Sequence, residues 1–280
     1  MASYLATPSA TRAVLERHGL LLKHRLGQNF LVNDAIIEKI IALAEPAAGE
    51  HVLEVGPGIG TLTVALLGSG ASVTAIEADP TLPAVLAETC SRDGERLALI
   101  EGDALKVDLA ALDPAPAKLV SNLPYQVAAT IILKVFEDVP SLTRAVVMVQ
   151  AEVADRIAAK PGSKAYGAYT AKLALFGRVT GRFEVGPGSF MPPPHVDSAV
   201  VRIDRAPLVD AETALRVAPV IDAAFAQRRK TIRNSMSASG FDKGALDAAF
   251  AACGIAPTAR AETLAPEQFV QLAAALEAAC

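Results

Sequence analysis

The sequence predicts an α/β fold in which a mostly parallel, doubly wound sheet with an antiparallel edge precedes a small all-helical domain. Between positions 51 and 150, apolar segments of strand length alternate with helical segments, a pattern that is typical of a parallel sheet covered by helices. Two short segments in which apolar and polar residues alternate then flank a proline-rich turn, and only helical patterns follow position 207. These three observations define the expected architecture.

The first elements follow from hydrophobic periodicity and capping residues. Isoleucines at helical spacing behind Asn33 and Asp34 predict a helix at 34–45. The parallel strands are predicted at 51–55, 72–76, 97–100, 118–121 and 145–149. The connecting helices are predicted to include 62–67, 82–90 and 127–136.

The last third of the chain supplies the edge of the sheet and the helical domain. Strands at 178–185 and 199–203 are expected to form the antiparallel edge. The helices that follow are predicted at 211–225, 228–238, 243–252 and 266–278. We therefore expect one domain at 1–207, which includes an N-terminal extension, and a second at 208–280.

Composition excludes several classes of protein. No apolar run is long enough to span a bilayer, the N-terminal residues lack the pattern of a signal peptide, and the three cysteines are widely spaced. We expect a soluble, cytoplasmic protein without a disulfide framework, a bound metal or a membrane partner.

Charge is unevenly distributed along the chain. The net charge of −4 is unusual for a protein that binds nucleic acid. However, the stretches 17–33, 156–183 and 227–241 together hold 13 of the 26 lysines and arginines and contain no acidic residue. This distribution permits a basic face on an acidic protein, although ordinary solvated surface would give the same pattern.

A glycine-rich turn with two acidic partners predicts a nucleoside site. Gly56-Pro57-Gly58-Ile59-Gly60 follows the first parallel strand, Glu77 ends the second, and Asp103 follows the third. Glycines allow close approach of the backbone to a ligand, and a carboxylate at the second strand can accept hydrogen bonds from ribose hydroxyls. The glycine spacing departs from the dinucleotide fingerprint and disfavours a nicotinamide oxidoreductase. The set suits the adenosine of S-adenosylmethionine, with Asp103 on the adenine amine or serving only as a local cap.

The tetrapeptide Asn122-Leu123-Pro124-Tyr125 after the fourth strand predicts methyl transfer to an exocyclic base amine. Such an amine is a poor nucleophile, so a site must hold its N–H groups and orient the nitrogen. The side-chain carbonyl of Asn122 and the backbone carbonyl of Leu123, extended before a proline, are two suitable acceptors. The Tyr125 ring offers a stacking surface. By itself the tetrapeptide is equally typical of a turn at a strand end.

The chain resembles the small-subunit (16S) ribosomal RNA adenine N6,N6-dimethyltransferases, the kasugamycin-sensitivity methyltransferases, over nearly its whole length. Besides the turn and the tetrapeptide, the resemblance rests on KHRLGQNFL at 23–31, PGSKAYG at 161–167, FMPPPHVDS at 190–198 and QRRKTIRNS at 227–235. The last segment, at 227–235, resembles the small-subunit enzymes specifically and not the related methyltransferases. The resemblance implies a Rossmann-like class I methyltransferase fold, S-adenosylmethionine as cofactor, S-adenosylhomocysteine as product and no metal.

The resemblance also implies roles for individual residues. Cofactor contacts are implied for Asn29, Leu31, Gly56, Gly58, Glu77, Asp103 and Asn122. The catalytic pocket for the target base is implied to comprise Asn122, Leu123, Tyr125 and Phe190, although Phe190 alone would indicate a core aromatic. Contacts to RNA are expected from Arg25, Lys160, Lys164, Arg228, Arg229, Lys230 and Arg233, with Arg229 and Arg233 sharing one face of the helix predicted at 228–238.

The implied substrate is two adjacent adenosines near the 3′ end of 16S rRNA, in the small ribosomal subunit or a late assembly precursor. Domain 1–207 would then bind cofactor and catalyse, and domain 208–280 would recognise RNA. Two alternatives remain: a large-subunit rRNA adenine dimethyltransferase of the macrolide-resistance type, against which the segment 227–235 argues, and a non-catalytic ribosome assembly factor.

Overall fold

A computed structural model describes residues 1–20 and 29–279. The chain divides into two compact units, Met1–Ala154 with Val179–Arg205, and Asp155–Arg178 with Ala206–Cys280. The division predicted from sequence placed 155–178 in the first domain, whereas the structure groups this segment with the C-terminal helices. Within the second unit, Lys172 of the segment forms an ion pair with Asp222 at 2.8 Å.

The strands and helices are introduced in chain order. The strands are β1 (Phe30–Leu31), β2 (His51–Val55), β3 (Ser72–Glu77), β4 (Leu97–Glu101), β5 (Lys118–Asn122), β6 (Arg144–Gln150), β7 (Gly177–Val185), β8 (Phe190–Met191) and β9 (Ser198–Arg205). The helices are α1 (Pro8–Arg17), α2 (Asp34–Ala44), α3 (Thr61–Gly68), α4 (Pro83–Thr89), α5 (Ala128–Asp138), α6 (Ala151–Ile157), α7 (Ala168–Leu173), α8 (Ala211–Phe225), α9 (Ile232–Ala238), α10 (Lys243–Cys253) and α11 (Pro266–Ala278).

The main sheet has seven strands in the order β4-β3-β2-β5-β6-β9-β7. The pairs β4-β3, β3-β2, β2-β5 and β5-β6 are parallel, whereas β9 pairs antiparallel with β6. The strand order therefore reverses between β2 and β5, and ligands of doubly wound sheets bind at the carboxyl ends of the strands at such a point. A separate antiparallel pair joins β1 to β8.

The predicted fold class is confirmed. All seven strand segments predicted for the sheet form strands. The five inner strands are runs of mostly buried β-branched and aliphatic residues, whereas the edge strands β4 and β7 are largely exposed or half-buried. One helix start is wrong: α9 begins at Ile232, because Thr231 is its N-cap and accepts a hydrogen bond from the Asn234 N–H at 3.3 Å. The short helices α1, α6 and α7 were not predicted.

Each unit has its own packed interior. In the first unit, α2 and α3 pack on the sheet through buried side chains such as Ile37, Leu66 and Val146. In the second unit, the Phe225 ring lies between those of Tyr166 and Phe269, with centroid distances of 5.9 and 5.8 Å. Across the described ranges 1–20 and 29–279, no helix combines the length and apolar character needed to cross a membrane.

Candidate cofactor and substrate site

A cavity of about 250 Å³ lies in the first unit where β2, β3 and β5 end. Parallel strands bring their carboxyl ends to one edge of the sheet, so the residues that follow them converge there. The described residues that line the cavity are Asn29, Phe30, Leu31, Glu54, Gly56, Pro57, Gly58, Thr61, Leu62, Glu77, Ala78, Asp79, Leu82, Asn122, Leu123, Pro124, Tyr125 and Val127.

The glycine turn after β2 depends on glycine for both conformation and space. Gly56 and Gly58 have φ angles of +71° and +62°, in the left-handed region that side chains disfavour. A Cβ atom on Gly58 would lie 3.2 Å from the Phe30 ring. The turn and the β1 segment therefore approach closely enough to enclose one side of the cavity.

Glu77 presents a buried carboxylate at the end of β3. Its side chain accepts hydrogen bonds from the N–H groups of Gly58 at 3.2 Å and Asp79 at 2.8 Å. Burial is the main influence on the pKa of Glu77 and raises it, while these hydrogen bonds act in the opposite direction. Each carboxylate oxygen can accept a further hydrogen bond, so the group remains able to bind hydroxyls.

Asn122 and Leu123 are placed to accept hydrogen bonds. The Asn122 amide donates from Nδ2 to the Asn29 carbonyl at 3.3 Å, which turns Oδ1 away from that partner. Leu123 donates its N–H to the Met148 carbonyl at 3.1 Å. Among residues 1–20 and 29–279, no donor is bonded to Asn122 Oδ1 or to the Leu123 carbonyl. Both acceptors predicted from the tetrapeptide are thus available beside the cavity.

Tyr125 is fixed by a partner that the sequence did not reveal. Its hydroxyl forms a 2.5 Å hydrogen bond with the Ser198 hydroxyl at the start of β9, and Ser198 is fully buried. Burial raises the pKa of Tyr125, so the phenol is neutral at physiological pH. Because one end of the ring is tethered, the orientation of the aromatic face toward the cavity is restricted.

Two predicted site residues lie apart from the cavity lining. Phe190 pairs with Leu31 across the β1-β8 ladder, and only 3% of its surface is exposed in the hydrophobic core. Asp103 follows β4, where its carboxylate accepts a hydrogen bond from the Leu105 N–H at 3.0 Å and lies 3.9 Å from Lys106 Nζ. Their roles toward a base or an adenine remain predictions.

Glu54 is a lining residue to which the sequence interpretation gave no role. It is fully buried in β2 and accepts a hydrogen bond from Thr63 Oγ1 at 2.7 Å. Burial is the main cause that raises the pKa of Glu54 to about 8, so the carboxyl is largely protonated at neutral pH. The available signal was its position inside an apolar strand, two residues before Gly56.

The predicted RNA-contacting residues of the second unit fall into two groups. Lys160, Lys164, Arg229 and Lys230 are exposed, and their side chains form no ion pair within the described parts of the chain. Arg228, by contrast, donates to the backbone carbonyls of Lys164 at 3.2 Å and Tyr166 at 2.9 Å.

Arg233 is also engaged, through two hydrogen bonds of 2.6 and 2.7 Å to the Asp247 carboxylate. Because α9 starts at Ile232, the prediction that Arg229 and Arg233 share a helix face is wrong. Arg25 lies outside the described residues. No group of three or more potential metal ligands occurs in the ranges 1–20 and 29–279.

Comparison with known proteins points to one family. A family model described as ribosomal RNA adenine dimethylase matches residues 19–278. The chain is 42% identical over 280 residues to a Corynebacterium glutamicum (strain R) protein named ribosomal RNA small subunit methyltransferase A, covering 98% of this chain and 96% of that protein.

Solved structures share the fold. A dimethyladenosine transferase from Plasmodium falciparum superposes with a TM-score of 0.73 at 27% identity, covering 87% of this chain and 95% of that one. The 23S rRNA methyltransferase ErmE superposes with a TM-score of 0.67 at 26% identity, covering 89% of this chain and 100% of that one. The likeness extends over the sheet that builds the cavity and the helical region beyond it.

Proposed function

The chain belongs to the ribosomal RNA adenine dimethylase family, and we propose that it methylates N6 of two adjacent adenosines near the 3′ end of small-subunit 16S rRNA. It is an rRNA adenine dimethyltransferase. The observation that supports this most is the placement of the tetrapeptide 122–125 and the glycine turn around one cavity at the switch point of the sheet.

The cavity fits S-adenosylmethionine. Gly56 and Gly58 line the cavity in left-handed conformations, and glycines allow a ligand to approach the backbone closely. The carboxylate of Glu77 can accept hydrogen bonds from ribose hydroxyls. Asn29, Leu31 and Asn122 line the same space, and Asp103 is proposed to reach the adenine amine from the end of β4. When bound, the cofactor supplies an electrophilic methyl group.

The protein's own groups prepare the target amine. Asn122 Oδ1 and the Leu123 carbonyl accept hydrogen bonds from the two N–H groups of adenine N6. These hydrogen bonds favour a pyramidal nitrogen whose lone pair is available for methyl transfer. The tethered Tyr125 ring stacks on the base, worth about 1–3 kcal/mol per contact. Alignment of the target amine with the methyl donor and exclusion of water from the cavity then account for most of the acceleration of methyl transfer.

Phe190 is proposed as the second aromatic surface against the base. Phe190 is buried in the hydrophobic core and does not line the cavity, so this contact requires a rearrangement of the β1-β8 pair when RNA binds. The target base must itself leave its stack to enter the cavity, and such bases occur in loops and helix ends of RNA.

RNA recognition is assigned to exposed basic residues. Lys160, Lys164, Arg229 and Lys230 are proposed to contact phosphates directly. Arg228 and Arg233 are expected to contribute less, because each already has protein partners. Arg25 is also proposed to contact RNA, on the basis of the sequence resemblance alone. The second unit is thus the proposed RNA-recognition unit, in a monomer that acts in the cytoplasm on small subunits or late precursors.

A methyl-transfer assay separates the two rRNA substrates. Small subunits from cells that lack the modification and free large-subunit RNA are each incubated with radiolabelled S-adenosylmethionine and the protein. We expect label in the small subunits alone. Label in the large-subunit RNA alone would identify a resistance-type enzyme. If neither substrate is labelled, small-subunit assembly precursors are tested in the same way, and absence of label there as well would favour a non-catalytic assembly factor.

A further inference from the structure

One hydrogen bond joins an aromatic ring that lines the cavity to a strand of the sheet. The Tyr125 hydroxyl lies 2.5 Å from Ser198 Oγ, and the Ser198 side chain is fully buried. Among residues 1–20 and 29–279, neither hydroxyl forms a second hydrogen bond. A buried hydroxyl that loses its partner is destabilising, so each of these two groups depends on the other.

Ser198 is a rigid anchor because its backbone belongs to the sheet. It pairs with Gln150 across the β6-β9 ladder, and the neighbouring Asp197 carbonyl accepts a hydrogen bond from the Ala151 N–H at 2.9 Å. Tyr125, by contrast, lies in the turn between β5 and α5. Its ring is therefore held by a turn at one end and by a strand at the other, which limits how far the ring can tilt.

Two successive methyl transfers to one amine make different demands on this ring. In each transfer the N6 lone pair forms a bond to the methyl carbon, the carbon–sulfur bond breaks with its electrons remaining on sulfur, and one N6 proton passes to water. An unmodified amine has two N–H groups for Asn122 Oδ1 and the Leu123 carbonyl, whereas a monomethylated amine has one. The second transfer thus has one hydrogen bond fewer to orient the base, and the orientation depends more on stacking against Tyr125.

We propose that Ser198 is a positioning residue that favours the dimethylated product, because it holds the Tyr125 ring in place for the second transfer. This inference rests on the proposed function. Ser198 acts through Tyr125, so removal of either hydroxyl has the same consequence. Without the hydrogen bond the ring stacks in a wider range of orientations, and N6-methyladenosine accumulates before the second methyl group is added.

A time course followed by mass spectrometry of nucleosides tests the assignment. Small subunits that lack the modification are mixed with S-adenosylmethionine and an excess of each protein, and the amounts of mono- and dimethyladenosine give the rate constants of the two transfers. We expect Ser198→Ala and Tyr125→Phe each to lower the ratio of the second rate constant to the first about 3- to 10-fold. The double variant should show the same reduction as either single variant, because both changes remove one hydrogen bond.

The matched control removes the hydroxyl of another buried serine. Ser235 is fully buried in α9, where its hydroxyl donates to the Ala223 carbonyl at 2.8 Å, and Ser235→Ala should leave the ratio unchanged. Isothermal titration calorimetry with S-adenosylhomocysteine should give the wild-type affinity for Ser198→Ala, because Ser198 does not line the cavity. A lowered affinity would show that Ser198 supports the shape of the whole site and would overturn its assignment to the ring.

The outcomes separate this inference from the proposed function. If the wild-type protein adds fewer than two methyl groups to adenine N6, the proposed function and this inference both fail. If the wild type forms dimethyladenosine, but the variants keep the wild-type ratio or slow both transfers equally, the role of Ser198 alone is overturned. Should Ser198→Ala not fold, Tyr125→Phe, which keeps the ring and removes only its hydroxyl, decides by the same ratio.

Discussion

Glu54 shows how burial alone changes the chemistry of a side chain. The folded state holds its proton up to a pKa of about 8, whereas an unfolded glutamate releases it near its ordinary value. Between these two values the folded state binds more protons than the unfolded state. The free energy of unfolding therefore falls as pH rises through that window, because ionising the buried group costs about 1.4 kcal/mol per unit of pKa shift.

Replacing this carboxyl by an amide should remove the pH dependence. We expect Glu54→Gln to exceed the wild type by a few kcal/mol in free energy of unfolding at pH 8.5 and to lose this advantage near pH 5. The amide can still accept the hydrogen bond from Thr63. Urea unfolding at both pH values measures the difference, with the exposed Glu95→Gln as control. Parallel pH profiles for wild type and Glu54→Gln would contradict the account.

At the residue scale, the sequence predicted most, but not all, of the residues that gather at the ends of the strands, since Asp103 lies apart from the cavity. Asn122, Tyr125, Gly58 and Glu77 line one cavity because each lies at or just beyond the carboxyl end of a parallel strand. The tether on Tyr125 was not predictable, because Ser198 lies 73 residues away and meets it only in the fold. That the buried Thr61 Oγ1 has no hydrogen-bond partner within the ranges 1–20 and 29–279 likewise depends on tertiary burial.

At the scale of elements, the start of α9 is set by one side chain. Thr231 accepts a hydrogen bond from the Asn234 N–H, which leaves 228–230 outside the helix. We expect Thr231→Ala to lower the free energy of unfolding by about 1 kcal/mol, and Thr231→Ser to preserve it. Urea unfolding of the full chain measures both variants. An alanine variant as stable as the wild type would show that the cap does not define the helix.

Sequence periodicity predicted long elements better than short ones. The helices α8 and α11 were predicted with their observed limits, because each spans several turns of regular apolar spacing. The helices α6 and α7 have seven and six residues, too few for a periodic signal. In the segment 228–231, four polar residues fit a helix face as well as a turn, so capping geometry decided the outcome.

At the scale of the whole molecule, the net charge conceals a local excess of basic residues. We expect Arg229→Ala/Lys230→Ala to weaken binding of small-subunit RNA and to reduce the slope of log affinity against log salt by up to about 0.7–0.9 per lost phosphate contact. Affinity for S-adenosylhomocysteine should not change. Filter binding across a salt series measures the slope.

The control for this comparison removes two exposed charges elsewhere. Arg12→Ala/Lys243→Ala lowers the net charge equally and lies outside the three basic stretches. If both double variants change affinity and slope to the same extent, binding responds to total charge, and the assignment of Arg229 and Lys230 to phosphates is wrong.

The fold class was predictable from the sequence because the alternation of strands and helices leaves few topologies. The membership of residues 155–178 was not. This segment lies between two strands of the sheet, so chain order favoured the first unit. Its packing with the C-terminal helices, including the Tyr166 and Phe225 rings, is a long-range property.

The most direct test of the central claim is mass spectrometry of nucleosides from small-subunit RNA after reaction with wild type and Asn122→Ala. The account predicts N6,N6-dimethyladenosine with the wild type and a rate lower by about 100-fold or more with the variant, because the amine loses an acceptor that orients it. Equal rates for the two proteins, or a methyl group on any atom other than adenine N6, would contradict it.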